Sequence, residues 1–211
     1  MTLPIPTPPT IITDPQEVRE ALASIDLTAD ALRDAASAGQ EAASRAHATH
    51  PRTAKGLNRW IETVGTARQH LIEDGEWRIS DPDNRPILEH TGKSSRTLSF
   101  ASGDKYTGKA ASSPNVARRK GPTTEEFFGQ IEIPFLGLAA PEPEENWLFL
   151  YCRAPGEVRM EVSRPTFFNA GIVGGWHTRI ILPALDLHST TVEPIDIGDE
   201  NVEFFVGQRR A

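Results

Sequence analysis

Cysteine is nearly missing from this 211-residue chain: Cys152 stands alone, so neither an internal disulfide nor a multi-cysteine zinc finger can form. Long hydrophobic runs are missing as well. The longest strongly apolar stretches, Ile133 to Ala140 and Trp147 to Cys152, fall well short of the roughly 20 residues that span a bilayer. Met1 to Pro9 carries prolines at 4, 6, 8 and 9 and no basic-then-apolar pattern, so it reads as neither a signal nor a transit peptide. A cytoplasmic location is the expectation. A surplus of positive charge is lacking too, with 22 Lys and Arg against 29 Asp and Glu, and a net charge of −7 argues against nonspecific coating of nucleic acid by the whole surface. No Gly-x-Ser-x-Gly elbow and no repeat of solenoid length occurs.

What is present fits a folded globular chain: 38% hydrophobic and 24% charged residues are enough apolar content for a core and enough charge for a solvated surface. Residues 1–13 read as an extended, proline-stiffened lead. Asp14-Pro15-Gln16-Glu17 then supplies a capping acceptor, a first-turn proline and a glutamate three residues on, a helix start, with Val18, Leu22 and Ile25 on one face. Nine of the 21 residues from Thr28 to Ala48 are alanine and Leu32 is the one large apolar side chain, so this helix must pack closely or weakly. His50-Pro51 ends it, and Thr53 is positioned to cap a third helix whose stripe is Leu57, Trp60, Ile61, Val64 and Leu71, stopped by Gly75.

From Trp77 the period shortens. Trp77-Arg78-Ile79 and Pro86-Ile87-Leu88 flank the turn Asp81-Pro82-Asp83-Asn84, and Arg96 to Phe100 alternates, which predicts a small antiparallel meander. A possible helix start at Thr123 to Glu126 and an acidic loop at Pro141 to Asn146 follow. Trp147 to Cys152, Glu157 to Ser163 and Thr178 to Leu182 read as strands, with a flexible turn at Gly171 to Gly175 and a last candidate at Val202 to Val206. The expected architecture is a single α+β domain over 14–211, with a helical part at 14–75 and a strand-rich part at 76–211. In it, N-terminal helices pack on a largely antiparallel sheet.

Charge is partitioned unevenly. Gly92 to Lys120 holds Lys93, Arg96, Lys105, Lys109, Arg118, Arg119 and Lys120 against one anion, Asp104, a balance of +6 that leaves −13 on the rest of the chain. Residues 121–150 hold six glutamates and no Lys or Arg. A basic segment rich in Gly, Ser and Thr, with exposed N–H groups and hydroxyls, suits an anion such as phosphate, whereas the plain alternative is a solvated loop or one paired with the following glutamates. Between Ala101 and Lys120 only Tyr106 is aromatic, which weakens a groove built on stacked bases.

Other constellations are weaker. Gly92-Lys93-Ser94-Ser95 imitates the end of a phosphate-binding P-loop, but Ile87 stands where the upstream glycine is required. His47 and His50 lack a third ligand at convincing spacing, so no metal is expected, and no cofactor motif is present. His177, in Gly174-Gly175-Trp176-His177, pairs on paper with Asp104 or Glu126 as an acid–base site, against the simpler reading of a solvent-facing turn histidine. Cys152, inside an apolar strand, reads as inert buried packing.

Several stretches together resemble a family of small bacterial proteins to which no activity is attached. They are His50-Pro51-Arg52-Thr53-Ala54-Lys55-Gly56 with Trp60, Gly103-Asp104-Lys105-Tyr106-Thr107-Gly108, Lys120-Gly121-Pro122-Thr123-Thr124, and Glu161-Val162-Ser163-Arg164-Pro165 with Gly175-Trp176. The resemblance spans about residues 14 to 205 and implies only that helices, middle loop and strands form one unit.

The leading expectation is a noncatalytic binding or regulatory protein whose basic loop grips an anionic partner: nucleic acid, a nucleotide or an acidic protein surface. A hydrolase or nucleic-acid-processing enzyme using Asp104, Glu126 and His177 is the first alternative. A homo-oligomeric structural protein, with the alanine-rich helix packed on its own copy, is the second.

Overall fold

The computed structural model describes residues 8–92, 96–119, 121 and 145–187. In chain order these form β1 (Thr10–Ile12), α1 (Pro15–Ala23), α2 (Ala29–Ser44), α3 (Ala54–Ile72), β2 (Trp77–Ser80), β3 (Ile87–His90), β4 (Arg96–Ser102), β5 (Glu145–Ala154), β6 (Glu157–Asn169) and β7 (Ile172–Asp186). One sheet takes all seven strands in the order β1-β7-β6-β5-β4-β3-β2. The α+β class stands, but the sheet is mixed rather than largely antiparallel, because β1 lies parallel to β7 and β4 parallel to β5. Nor are helices confined to an N-terminal block: β1 precedes them and a short 3-10 turn at Pro82–Asn84 follows β2. The lead at 1–13 is also more than a spacer, since its residues 10–12 pair with Thr178 to Ile180 as an edge strand. Prolines just before an edge strand remove no ladder bond.

The helix starts follow their local chemistry. Asp14 accepts the backbone N–H groups of Gln16 and Glu17 at 2.8 and 3.1 Å, and Thr28 accepts that of Ala31. Asp14→Ala should lower stability by about 1 kcal/mol in urea denaturation, with no change in the folded circular dichroism spectrum. Thr53 does not cap α3 with its side chain; it is itself in helical conformation and contributes only its carbonyl, to Leu57 N–H.

The expected α3 stripe is only half right. Val64 and Leu71 are buried, Trp60 is partly buried, and Leu57 and Ile61 are exposed. The buried face instead runs through Arg59, Thr63, Val64, Ala67 and Leu71, because α3 lies against the small-residue face of α2. A Cβ on Gly39 would overlap Thr63 Oγ1 and stand 2.7 Å from the Arg59 carbonyl oxygen, so the two helix backbones meet where one residue has no side chain.

Helices cover one face of the sheet. Val18, Leu22, Leu32 and Val64 pack there against Leu98, Phe149, Met160 and Ile180. β5 is buried on both faces, which is why Trp147 to Cys152 reads as a continuous apolar run; each large side chain so buried contributes about 1.5–3 kcal/mol. The strand begins at Glu145, within the stretch expected as an acidic loop.

β6 and β7 join through Ala170 and Gly171, both left-handed at φ 50° and 77°, as a two-residue hairpin turn requires. The turn is therefore shorter than Gly171 to Gly175, and Gly174 and Gly175 lie inside β7, where the Phe167 ring occupies the space a Cβ on Gly174 would need. Register shifts around Arg164 to Phe168 carry the hairpin end onto a second cluster, Ala101, Val116, Leu148, Leu150, Phe168, Val173 and Trp176, on the face away from the helices. The candidates at Thr123 to Glu126 and Val202 to Val206 lie outside the described residues.

Candidate functional site

The loop after β4 is built, residue by residue, onto this second face. Its base is closed by main-chain bonds: Gly103 N–H to Tyr151 O, Asp104 N–H to Asn115 O and Ala117 N–H to Ser102 O, with Gly103 and Val116 forming an antiparallel bridge. Asp104 starts a tight turn, its Oδ1 accepting Tyr106 N–H at 2.9 Å and its carbonyl accepting Thr107 N–H at 3.0 Å. Asn115 fastens the far end, accepting Val173 N–H and donating to Val173 O, while the Trp176 indole donates to Pro114 O at 3.0 Å.

Between these ends the loop closes over an ion pair. Glu161 on β6 and Arg179 on β7 have side chains 0% and 1% exposed, with Arg179 Nη2 2.6 Å from Glu161 Oε2 and Nε 3.2 Å from Oε1. Ser163 Oγ donates to Oε1 and Gly108 N–H to Oε2, so each carboxylate oxygen receives two hydrogen bonds. The guanidinium reaches onward to the carbonyls of Ser112 at 2.6 Å and Lys109 at 3.2 Å. A buried pair this fully satisfied is neutral as a unit, and it ties the loop to two strands at once. Gly108 makes this seat possible: its φ is +72°, and a Cβ there would come 2.8 Å from Arg159 Cβ.

With their carbonyls engaged by Arg159 and Arg179, Lys105 and Lys109 turn their side chains outward. Arg159 Nη1 donates to Lys105 O, while the Lys105 side chain is exposed, its Nζ 5.1 Å from the Tyr106 ring centre. The Lys109 and Arg119 side chains are exposed, and Arg119 Nη1 donates to Ala170 O at 3.2 Å. Among the described residues no carboxylate is within ion-pairing distance of Lys105, Lys109 or Arg119. Arg118 is half-buried. Lys93, Lys120 and Glu126 lie outside the described residues.

Arg96 does not belong with this set. It is buried and held between two carboxylates of its own chain, Asp26 at 2.8 Å and Glu145 at 2.6 Å, so it offers nothing to an outside anion. Asp26 Oδ2 also lies 2.9 Å from His90 Nε2, and Gly92 N–H donates to His90 Nδ1, which leaves Nε2 to carry the proton toward Asp26. This second cluster joins the α1–α2 turn to β3, β4 and β5. Next to it, the Glu89 carboxyl is held below its ordinary range first by the Ser80 hydroxyl and then by Arg78, against the upward push of burial.

Of the acid–base candidates, Asp104 and His177 are described and are not hydrogen-bonded to each other: Asp104 spends an oxygen on its own turn, and His177 is exposed on β7 with Nδ1 2.8 Å from Thr178 Oγ1. Cys152 is partly exposed rather than buried. The described element that follows Gly92 is β4, a strand antiparallel to β3, whereas a P-loop is followed by a helix. Among the described residues no group of three His, Cys, Asp or Glu is placed to hold a metal, and no helix is long and apolar enough to cross a membrane.

Sequence reading singled out the cations and gave no site role to Glu161, Ser163, Arg179 or Asn115. The one available signal was opposite charges at strand positions alternating with Val162 and Ile180, which reads as a solvated pair until a loop covers it. No protein family, curated protein or solved structure is significantly similar to the chain, and the resemblance to small bacterial proteins finds no counterpart there.

Proposed function

We propose that this chain is a noncatalytic binding protein that contacts an anionic, phosphate-bearing partner through Lys105, Lys109 and Arg119. The observation that carries the reading is the buried Glu161–Arg179 pair beneath the loop: it holds the loop backbone at Gly108, Lys109 and Ser112 and is neutralised within itself, so it takes none of the cations' charge. Cations held on an ordered scaffold lose less entropy on binding than cations on a free coil. Because the chain is acidic overall, its long-range field repels a polyanion, and attraction is confined to contact distance.

A fluorescently labelled oligonucleotide, titrated at several salt concentrations, is the probe. Affinity should fall steeply with salt, and Lys105→Gln/Lys109→Gln/Arg119→Gln should reduce the slope of log K against log salt by about three. Binding that ignores salt, or that the triple variant leaves intact, would remove this function. The same titration with a poly-aspartate peptide separates phosphate recognition from general acidity: equal affinity for both makes the partner an acidic protein surface.

A further inference from the structure

Helix α3 keeps an apolar side that no other described residue covers. Leu57, Ile61, Gly65 and Ile72 recur at helical spacing on its outward side, and Leu57, Ile61 and Ile72 are 38%, 48% and 38% exposed. Arg68 ties the helix to the end of the edge strand β2 through Ser80 O at 2.9 Å and Asp81 at 2.7 Å, and Ile79 of that strand is half exposed. Among the described residues nothing lies within 4 Å of the Cβ position of Gly65. A glycine in mid-helix destabilises relative to alanine, and no contact among the described residues requires it at 65.

The charges at the two ends of α3 are in the order that an isolated helix disfavours. Arg52 and Lys55 stand at its positive N-terminal end, where the first turn has no acid, and Glu73, Asp74 and Glu76 follow its negative C-terminal end. A second α3 lying antiparallel reverses both penalties. With a two-fold axis at Gly65, Leu57 is about 12 Å from the axis on one side and Ile72 about 10.5 Å on the other, so each meets the other across the pair. By the same spacing Lys55 faces Asp74 of the partner subunit. The residue without a side chain sits at the crossing, where two backbones come closest.

We infer that α3 is a homodimer interface in which two copies of this chain cross antiparallel at Gly65. The alanine-rich α2 has no such role, because Ala31, Ala35, Ala36, Ala42 and Ala43 are already buried within the subunit.

Sedimentation velocity of the full chain should show the mass rising from monomer to dimer across the micromolar range, and Ile61→Glu/Ile72→Glu should remain monomeric with the melting curve of the dilute parent. An N-end variant (Arg52→Glu/Lys55→Glu) and a C-end variant (Glu73→Lys/Asp74→Lys) should each self-associate at least about tenfold more weakly. Mixed in equal amounts, they should pair as a heterodimer, because each end then meets its opposite. A parent that stays monomeric throughout, or a dimer that survives the isoleucine double variant, overturns the interface. Failure of the mixture to restore pairing overturns the antiparallel arrangement.

Discussion

Arg179→Ala is expected to lower unfolding free energy by about 3–5 kcal/mol, because it strands the Glu161 carboxylate inside the protein with no opposing charge. The same change frees the carbonyls of Lys109 and Ser112, so the loss extends beyond the pair to the loop above it. Urea denaturation measures the first effect. Hydrogen exchange measures the second: the Gly108 amide, bonded to Glu161 in the native state, should lose its protection before the strands do. Arg179→Met/Glu161→Leu removes both charges and should recover much of the global stability, since an apolar pair of similar volume often replaces a buried ion pair at little cost. It should not recover Gly108 protection, which needs the carboxylate. A single variant as stable as the parent would mean that the pair does not latch the loop, and the rigid presentation of Lys105 and Lys109 would go with it.

Gly39→Val should also be strongly damaging, for an unrelated reason. A Cβ there overlaps Thr63 Oγ1 and crowds the Arg59 carbonyl, and the second of these is backbone that cannot rotate away. Overpacking a tight core position costs about 1–3 kcal/mol, and branching at Cβ places this substitution at the upper end. Thr63→Ala in the same chain should restore only part of the loss, because Arg59 O stays in place. Gly56→Ala is the control of opposite sign: among the described residues nothing lies within 4 Å of its Cβ position, and replacing glycine in the first turn of α3 should stabilise by up to about 1 kcal/mol. If both substitutions shift the thermal midpoint in the same direction, the close approach of α2 and α3 at Gly39 is not what limits that position.

The contrast between those two glycines shows what an alanine-rich segment leaves undecided. Composition states that α2 packs closely or weakly, and only the position of α3 selects closely. Once α3 approaches through Thr63 and Ala67, its bulkier Leu57 and Ile61 have no room on that side and turn outward. The periodic stripe in the sequence is real, but periodicity alone does not say which arc of it the neighbours cover.

Much of the loop's chemistry was legible and its architecture was not. The cluster of cations is a property of composition, and Lys105, Lys109 and Arg119 can be named without coordinates. Arg96 could not be separated from them, because its partners lie far from it along the chain and meet it only in the fold, Asp26 from the α1–α2 turn and Glu145 from the neighbouring β5.

By itself the sequence determined what is settled within a few residues: the Asp14 cap, the Asp81 to Asn84 turn, the strand periods around Leu98 and Val162, and the apolar run through Phe149. Local sterics and hydrogen bonds act over one turn or one pleat, so neighbours in sequence suffice. Only the tertiary structure decided the parallel pairings of β1 and β4, the inward turn of Glu161 and Arg179, and the face of α3 left open. Those outcomes depend on which surfaces meet between segments far apart in the chain, as between Thr10 and Thr178, Trp176 and Pro114 or Arg179 and Lys109, where water exclusion and pairing override what each segment prefers alone.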